Sequence, residues 1–146
     1  MFNVRVYGIL LKEDKVLITD EYRYGTLITK FPGGGLQFGE GTLDCLKREF
    51  REEMEMDIKV IKHFYTTDFF QTSAFNKKQQ VISIYYLIEA ASSFVKKISE
   101  KKFDFDKAEG AQSFRFQKMD NVLKEEFTFP IDKRVGEMLT NDYFKS

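Results

Sequence analysis

The sequence has few residues that support chemistry through sulfur or imidazole. It contains one cysteine, Cys45, one histidine, His63, and no tryptophan among 146 residues. A single cysteine cannot form an internal disulfide. A catalytic thiol needs a nearby base, and His63 is distant from Cys45 in the sequence. Cys45 is therefore interpreted as a small side chain packed inside the protein.

Charge and hydropathy exclude further classes of protein. The 23 basic and 23 acidic residues give a formal net charge of zero, whereas binding to a large nucleic acid or an anionic membrane usually leaves a basic footprint. We therefore expect no polymeric nucleic acid and no membrane as a partner. No apolar run reaches membrane-spanning length, and no secretory signal precedes the first strand-like segment. These absences predict a cytoplasmic protein.

Hydrophobic periodicity predicts alternating strands and helices within one domain over residues 1–146. Strands are predicted at 2–11, 16–19, 27–31, 58–70, 79–91 and 113–116. Helices are predicted at 42–54, 119–124 and 131–139, and a loop at 20–26. Residues 92–110 are predicted to form either a loop or a strand followed by a loop. Strands separated by one long helix, with more helices at the end, predict an α/β (α+β) fold in which a mixed sheet packs between helices.

The segment 31–56, FPGGGLQFGEGTLDCLKREFREEMEM, carries the clearest functional signal. At about 100° per residue, an apolar stripe that should face the core contains Leu43, Leu46, Phe50 and Met54. Glu49 and Glu53 stack on one side of the same helix, with Glu52 beside them. Arg48 precedes Glu52 by one turn, so its guanidinium can hold that carboxylate in place.

Clustered carboxylates on a helix repel one another by about 0.2–0.5 kcal/mol per pair unless a cation lies between them. Mg²⁺ and Mn²⁺ prefer oxygen ligands, and Mg²⁺ commonly binds a few carboxylates together with substrate phosphates. The three preceding glycines allow the backbone to approach a ligand closely, and they also offer a carbonyl group. The alternative for the acidic run taken alone is a solvated helix face.

The complete spacing is more specific than the acidic run. It resembles the Nudix box of the Nudix hydrolases (MutT-like), G-x5-E-x7-R-E-U-x-E-E-x-G-U, in which U is bulky and apolar. The matching residues are Gly34, Glu40, Arg48, Glu49, Phe50, Glu52, Glu53 and Met56. One position departs, since Glu55 replaces the late glycine. A glutamate there must adopt the left-handed conformation or end the helix differently.

The resemblance implies a Nudix α/β/α sandwich and a metal-dependent pyrophosphohydrolase. Such an enzyme cleaves a diphosphate linkage in a nucleoside diphosphate joined to another group, with Mg²⁺ or Mn²⁺ as cofactor. By position in the motif, the metal ligands are Glu49, Glu52 and Glu53, with the backbone of Gly34 as a further ligand. Arg48 is expected to orient the acids, and Glu40 to support them. The general base is either a helix glutamate or a loop acid, for which Glu109 is the candidate and Asp104 and Asp106 are rivals.

The substrate is less closely defined by the sequence. Arg5 and Arg23 are candidates for phosphate contacts, and the candidates for stacking on a base are Tyr22, Tyr24, Phe69 and Phe70. The segment EYRYG weakly resembles the corresponding segment in hydrolases of ADP-ribose and related nucleotide sugars. The sequence PGGG is closer to that of hydrolases of nucleoside triphosphates and smaller substrates. The alternative functions are a catalytically silent nucleotide sensor and a protein-interaction domain. Relatives often form homodimers, which no feature of this sequence requires.

Overall fold

The computed structural model describes residues 1–144 and contains seven strands and three helices there, followed by one π-helical turn. In chain order these elements are β1 (Phe2–Lys12), β2 (Lys15–Arg23), β3 (Thr26–Lys30), β4 (Gly33–Gly35), α1 (Thr42–Met54), β5 (Ile58–Thr66), β6 (Gln80–Ala90), β7 (Gln112–Lys118), α2 (Leu123–Glu126), α3 (Pro130–Leu139) and the π-helical turn Thr140–Phe144. They form two compact units, which are described separately. No helix within residues 1–144 is both long and apolar enough to cross a membrane.

The first unit comprises Met1–Leu10 and Pro32–Val95. Its sheet is mixed, because β1 runs parallel to β6 and antiparallel to β4, while β5 runs antiparallel to β6. Close packing is visible at Gly8, where a β-carbon would lie 2.7 Å from Ile88 Cδ1 and 2.9 Å from Phe50 Cε1. The absence of a side chain at Gly8 therefore lets α1 approach the sheet.

Helix α1 has the predicted bounds and buries Cys45, Leu46, Phe50 and Met54. The prediction that Leu43 belongs to the buried stripe is wrong, since Leu43 is 42% exposed in the first turn of the helix. Cys45 is fully buried instead, as expected for a small side chain in the core. Relative to the predicted stripe, the buried face of α1 is therefore shifted toward Cys45, on the side of the helix that also carries Glu49.

The end of α1 shows how the chain accommodates Glu55. This residue adopts the left-handed conformation, with φ 50° and ψ 42°. Its amide donates to the carbonyl of Arg51 at 3.1 Å, and the amide of Met56 donates to Phe50 at 3.3 Å. The helix therefore ends in the geometry that glycine favours, although the sequence supplies a glutamate.

We expect Glu55→Gly to stabilise the protein. The left-handed conformation costs a non-glycine residue about 1–2 kcal/mol, of which glycine's greater flexibility when unfolded cancels about 0.5–1 kcal/mol. The free energy of unfolding should rise by about 0.5–1 kcal/mol in urea titrations. Glu55→Ala is the matched control, because it removes the carboxylate and keeps the β-carbon. If both variants had the same stability, the strain argument would be wrong.

The second unit comprises Leu11–Phe31 and the described residues from Lys96 onward. In it β2 lies between β3 and β7 and is antiparallel to both, and the start of β2 pairs with Leu11 and Lys12 at the end of β1. Pro130 begins α3, where its fixed φ suits the first helical turn. Phe31 and Phe127 stack with ring centroids 4.4 Å apart and are both fully or almost fully buried.

A buried ion pair crosses the second unit from β2 to β7. Arg115 Nε lies 2.7 Å from Asp20 Oδ2, and the two side chains are 5% and 0% exposed. The Asp20 carboxylate also accepts hydrogen bonds from the Thr29 hydroxyl at 2.7 Å and from the Phe103 amide at 3.1 Å. Glu126 contacts the other side of Arg115 at 3.2 Å. Both carboxylate oxygens of Asp20 therefore accept hydrogen bonds from specific partners.

The mixed α+β fold with its mixed sheet confirms the predicted fold class, and most predicted elements are present. Two local predictions are wrong. Residues 20–23 continue β2 instead of forming a loop, and the strand predicted at 58–70 ends at Thr66. The glycines, for which no element was predicted, form the short strand β4. The short helix predicted at 119–124 is α2, which begins only at Leu123. Partner strands stabilise 20–23 and the glycines, which propensity alone does not favour.

Candidate active site

Arg48 connects three acidic side chains of the first unit. Its Nε and Nη2 donate to the two carboxylate oxygens of Glu40 at 3.0 and 2.8 Å. Its Nη1 donates to Glu49 Oε1 at 3.0 Å and to Glu52 Oε2 at 3.2 Å. The fork of the guanidinium therefore pairs with Glu40 in the bidentate way that gives strong, well-oriented ion pairs, and its remaining donor joins the two helix acids.

The ion pair between Arg48 and Glu40 keeps both of these groups ionised. The hydrogen bond from Arg48, followed by one from the Gln37 amide, lowers the pKa of Glu40 to about 2. The same bond with Glu40 is the main cause of a raised pKa for Arg48. Glu40 precedes α1 in the chain, so its pairing with Arg48 fixes the loop between the glycine strand and the helix.

Gly34 lies directly against the Glu49 carboxylate. A β-carbon at Gly34 would be 2.5–2.6 Å from the carboxylate atoms of Glu49, a separation that nonbonded atoms do not tolerate. Glu49 is only 13% exposed, so it has little room to move away. Glycine is therefore required at this position for the carboxylate to lie where it does.

The carbonyl that faces the acidic side chains belongs to Gly35. Arg48 Nη2 donates to Gly35 O at 3.0 Å. Gly34 pairs with Val6 on β1, and backbone bonds at the two flanking pairs, Leu36 to Val4 and Gly8 to Pro32, make Gly34 and Val6 a hydrogen-bonded pair by the antiparallel alternation. The polar backbone groups of Gly34 are therefore directed at β1.

The donor set fits a divalent cation by its chemistry, because Glu49, Glu52, Glu53 and the glycine carbonyls are all oxygen donors of the kind Mg²⁺ and Mn²⁺ prefer. The close approach of the Glu49 carboxylate to a backbone without side chains supports this fit. Within residues 1–144, no three acidic, cysteine or histidine side chains already converge as a ligand set. Arg48 Nη1 instead lies between the carboxylates of Glu49 and Glu52.

Cys45 lies beneath this site without the properties of a nucleophile. Its Sγ lies 3.5 Å from Gly35 O and 3.8 Å from Arg48 Nη2. Burial, followed by the negative charge of Glu40, raises the pKa of the Cys45 thiol to about 12. The thiol is therefore neutral at physiological pH, and the interpretation of Cys45 as a packed side chain is confirmed.

Of the predicted substrate-contacting residues, Arg5 and Phe69 belong to the first unit. Arg5 pairs across the strands with Gly35, and its Nη1 would lie 3.7 Å from a β-carbon on that glycine. Phe69 follows β5 and is 40% exposed. Arg5 is thus next to the glycine strand, whereas Phe69 lies on a connecting segment.

Arg23, Tyr24 and Glu109 belong to the second unit. The Tyr24 amide donates to both oxygens of the Glu109 carboxylate, at 2.9 Å to Oε2 and closer to Oε1. Tyr24 and Gly25 have φ of 52° and 69°, as in a tight hairpin turn of type I′. Glu109 therefore binds the tip of the β2–β3 hairpin. The side chain of Tyr24 is mostly exposed.

Arg23 belongs to a charged cluster that sequence reasoning missed. Its Nε lies 2.8 Å from Glu21 Oε1, and Lys30 Nζ lies 3.1 Å from Glu21 Oε2. Burial alone would raise the pKa of Glu21, but Lys30 and then Arg23 bring it below its ordinary value. The signal in the sequence was the pair Asp20-Glu21, which directly continues an apolar strand. Two consecutive acidic residues in a strand are either exposed to solvent or paired with cationic side chains on the two faces of the sheet. Only the identity of those cationic partners distinguishes the two cases.

Comparison with known proteins identifies the family. The profile of the NUDIX domain matches residues 1–135, and the chain belongs to this family. The resemblance read from the box is therefore confirmed, as is the expectation of an enzyme of the pyrophosphohydrolase type. No curated protein matches the sequence.

Solved structures agree in fold. A NUDIX hydrolase from Nitrosomonas europaea is 20% identical with a TM-score of 0.69, over 99% of this chain and 90% of that one. A MutT structure described for Aliivibrio salmonicida and Vibrio cholerae is 19% identical with a TM-score of 0.60, over 98% and 100%. An ADP-ribose pyrophosphatase from Streptococcus suis is 16% identical with a TM-score of 0.62, over 99% and 92%. At these identities the similarity shows the fold and not the substrate.

Proposed function

We propose that this protein is a Mg²⁺- or Mn²⁺-dependent hydrolase that cleaves the diphosphate linkage of a nucleoside diphosphate joined to another group. The observation that carries the proposal is the array built on Arg48, which holds Glu40, Glu49 and Glu52 beside a strand of three glycines. Such an array is not expected on an ordinary surface helix, because the array places several negative charges close together, where they repel one another.

Each residue has a definite part in this proposal. Glu49, Glu52 and Glu53 hold the metal, and a carbonyl of the glycine strand completes the set. The predicted backbone ligand was Gly34. The hydrogen bond that the Gly35 carbonyl accepts from Arg48 instead favours the carbonyl of Gly35, which is turned toward the acidic side chains. Arg48 and Glu40 hold the helix carboxylates next to that strand. When bound, the metal neutralises phosphate oxygens and activates the attacking water.

The substrate class proposed is a small nucleotide, in a cytoplasmic enzyme without polymeric nucleic acid or membrane partners. Structural neighbours include proteins described as MutT, ADP-ribose pyrophosphatase and UDP-X diphosphatase. Nucleoside triphosphates and nucleotide sugars are therefore the two classes to compare first. A homodimer stays a prediction, to be checked by light scattering.

The test is a hydrolysis screen with Mg²⁺ or Mn²⁺. The panel contains nucleoside triphosphates, oxidised nucleotides, nucleotide sugars including ADP-ribose, dinucleoside polyphosphates and non-nucleoside diphosphates. Turnover of one class that depends on added metal would support the proposal and identify the substrate. Absence of turnover for the whole panel, together with nucleotide binding, would replace the hydrolase by the nucleotide sensor.

We further propose that Glu109 is the general base, and two variants separate this role from its bond to the hairpin. Glu109→Gln keeps an oxygen for the Tyr24 amide but has no ionised carboxylate. We expect kcat to fall by about 10²–10⁴-fold, as for other general bases, with an unchanged melting temperature. Glu109→Ala should also destabilise the protein, by about 1 kcal/mol for the lost hydrogen bond. Full activity of Glu109→Gln would show that Glu109 is not the general base.

The rival Asp104 is a weaker candidate for the base. Its carboxylate lies 3.0 Å from Lys97 Nζ and 3.6 Å from Lys101 Nζ. The hydrogen bond from Lys97, followed by one from Ser99, lowers the pKa of Asp104. A lower pKa makes a carboxylate a poorer proton acceptor near neutral pH.

A further inference from the structure

The glycine strand β4 separates two oppositely charged groups within the first unit. Among residues 1–144, β4 pairs only with β1. Successive residues of a strand face opposite sides of its sheet, so the Glu49 carboxylate at Gly34 and the Arg5 guanidinium at Gly35 lie on different sides of β4. Gly33 and Gly34 are buried, whereas Gly35 is partly exposed and has no side chain, so a ligand can approach the backbone of β4 at Gly35.

The guanidinium of Arg5 is held in one orientation. Its Nε donates to the Tyr7 hydroxyl at 2.5 Å, and its Cζ lies 5.7 Å from the centroid of the Tyr7 ring. Tyr7 is 5% exposed and packs against the fully buried Tyr85, with ring centroids 5.3 Å apart. The acceptor that orients Arg5 is therefore itself fixed by the core of the unit. With Nε directed at Tyr7, the terminal nitrogen Nη1 lies over Gly35.

The acidic side of the strand creates a need for a cation on the other side. Glu40, Glu49, Glu52 and Glu53 carry four negative charges, against one positive charge on Arg48. A metal can neutralise the phosphate that lies among these acids, but a second, linked phosphate would be repelled by them. A planar guanidinium binds phosphate oxygens through two parallel hydrogen bonds, and Arg5 is placed across the strand from the acids.

We propose that Arg5 binds the second phosphate of a diphosphate substrate, and that Tyr7 is the residue that positions Arg5 for this contact. The inference rests on the proposed hydrolase function and adds a specificity to it. The linked phosphates are recognised on the two sides of β4, one by the carboxylates with their metal and the other by Arg5. Substrates with a single phosphate lack one of these contacts and bind weakly.

The first test uses steady-state kinetics with the substrate found in the screen. Arg5→Ala should raise KM by about 10- to 100-fold, as expected for a lost charge-assisted hydrogen bond, with kcat within about threefold of wild type. Arg5→Lys should recover part of this loss, since it restores the charge without the planar fork. Tyr7→Phe should raise KM by about three- to tenfold while keeping its ring in the core. Lys59→Ala removes an exposed charge of the same unit and is the matched control, with KM unchanged.

A binding test distinguishes failure of this inference from failure of the proposed hydrolase. Calorimetric titration with inorganic pyrophosphate and Mg²⁺ requires no turnover. Pyrophosphate binding that is weakened in Arg5→Ala and Tyr7→Phe, and kept in Lys59→Ala, would support the role of Arg5 even if the screen found no substrate. Equal KM and equal pyrophosphate affinity for wild type and Arg5→Ala would overturn it. A change confined to the melting temperature would also overturn it, because it would make Arg5 and Tyr7 purely structural.

Discussion

Replacement of Glu53 by glutamine should abolish metal-dependent turnover while leaving the fold intact. Glu53 lies one turn after Glu49 on α1 and beside Glu52, so it belongs to the proposed ligand set. The amide keeps the shape of the side chain but removes its charge. Since metal catalysis supplies several kcal/mol of transition-state stabilisation, and 1.36 kcal/mol corresponds to a factor of ten, kcat should fall by at least about 10²-fold.

The loss of activity in Glu53→Gln should not be accompanied by a loss of stability in the metal-free protein. Without metal, Glu53→Gln removes the repulsion between Glu49 and Glu53 at i,i+4, which is worth about 0.2–0.5 kcal/mol. Thermal melts in EDTA should therefore show equal or slightly greater stability than wild type. Added Mg²⁺ should raise the melting temperature of wild type, as ligands of the native state do, and raise that of the variant less.

Glu89→Gln is the matched control for Glu53→Gln. Glu89 belongs to the same unit, is exposed, and contacts only the exposed Lys59 at 3.9 Å among the ion pairs of residues 1–144. Its replacement should leave both turnover and the effect of Mg²⁺ unchanged. Activity of Glu53→Gln close to wild type would refute the proposed ligand set, whatever the screen shows for the substrate.

Removal of Asp20 should cause the largest loss of stability of any single change considered. Asp20→Ala leaves the buried guanidinium of Arg115 without its main partner, and also leaves the Thr29 hydroxyl and the Phe103 amide without their acceptor. Breaking a buried ion pair from one side costs about 3–5 kcal/mol, a large share of the roughly 5–15 kcal/mol that stabilises a typical domain. Urea titrations should show a lower midpoint with an unchanged slope.

The exposed pair between Asp14 and Lys118 provides the comparison. It belongs to the same unit, its atoms are 3.9 Å apart, and its side chains are 55% and 54% exposed. Asp14→Ala should change the free energy of unfolding by less than about 1 kcal/mol, because exposed pairs contribute little. If Asp20→Ala does not fold, Thr29→Val removes one donor from the same carboxylate and should cost about 1 kcal/mol. Equal effects of Asp20→Ala and Asp14→Ala would show that the buried network does not stabilise the unit.

The elements predicted correctly were those with strong local signals. Helix α1 was predicted with its observed bounds, Thr42–Met54, because its apolar spacing and the glycines before it are both local. The strand at 20–23 was predicted as a loop, since Asp20 and Glu21 have low strand propensity. Their partners Arg115 and Lys30 come from other strands, and pairing across a sheet outweighs propensity.

The sequence by itself determined the family, the acidic helix and the residues Arg48, Glu49, Glu52 and Glu53, because the box places them within a few helical turns, where spacing fixes direction. Only the tertiary structure decided which groups these residues meet. It turned the carbonyl of Gly35 toward Arg48, placed Glu49 against Gly34, and bound Glu109 to an amide 85 residues away. Helical periodicity is a local property of the chain, whereas such contacts depend on how distant strands align, which no local pattern encodes.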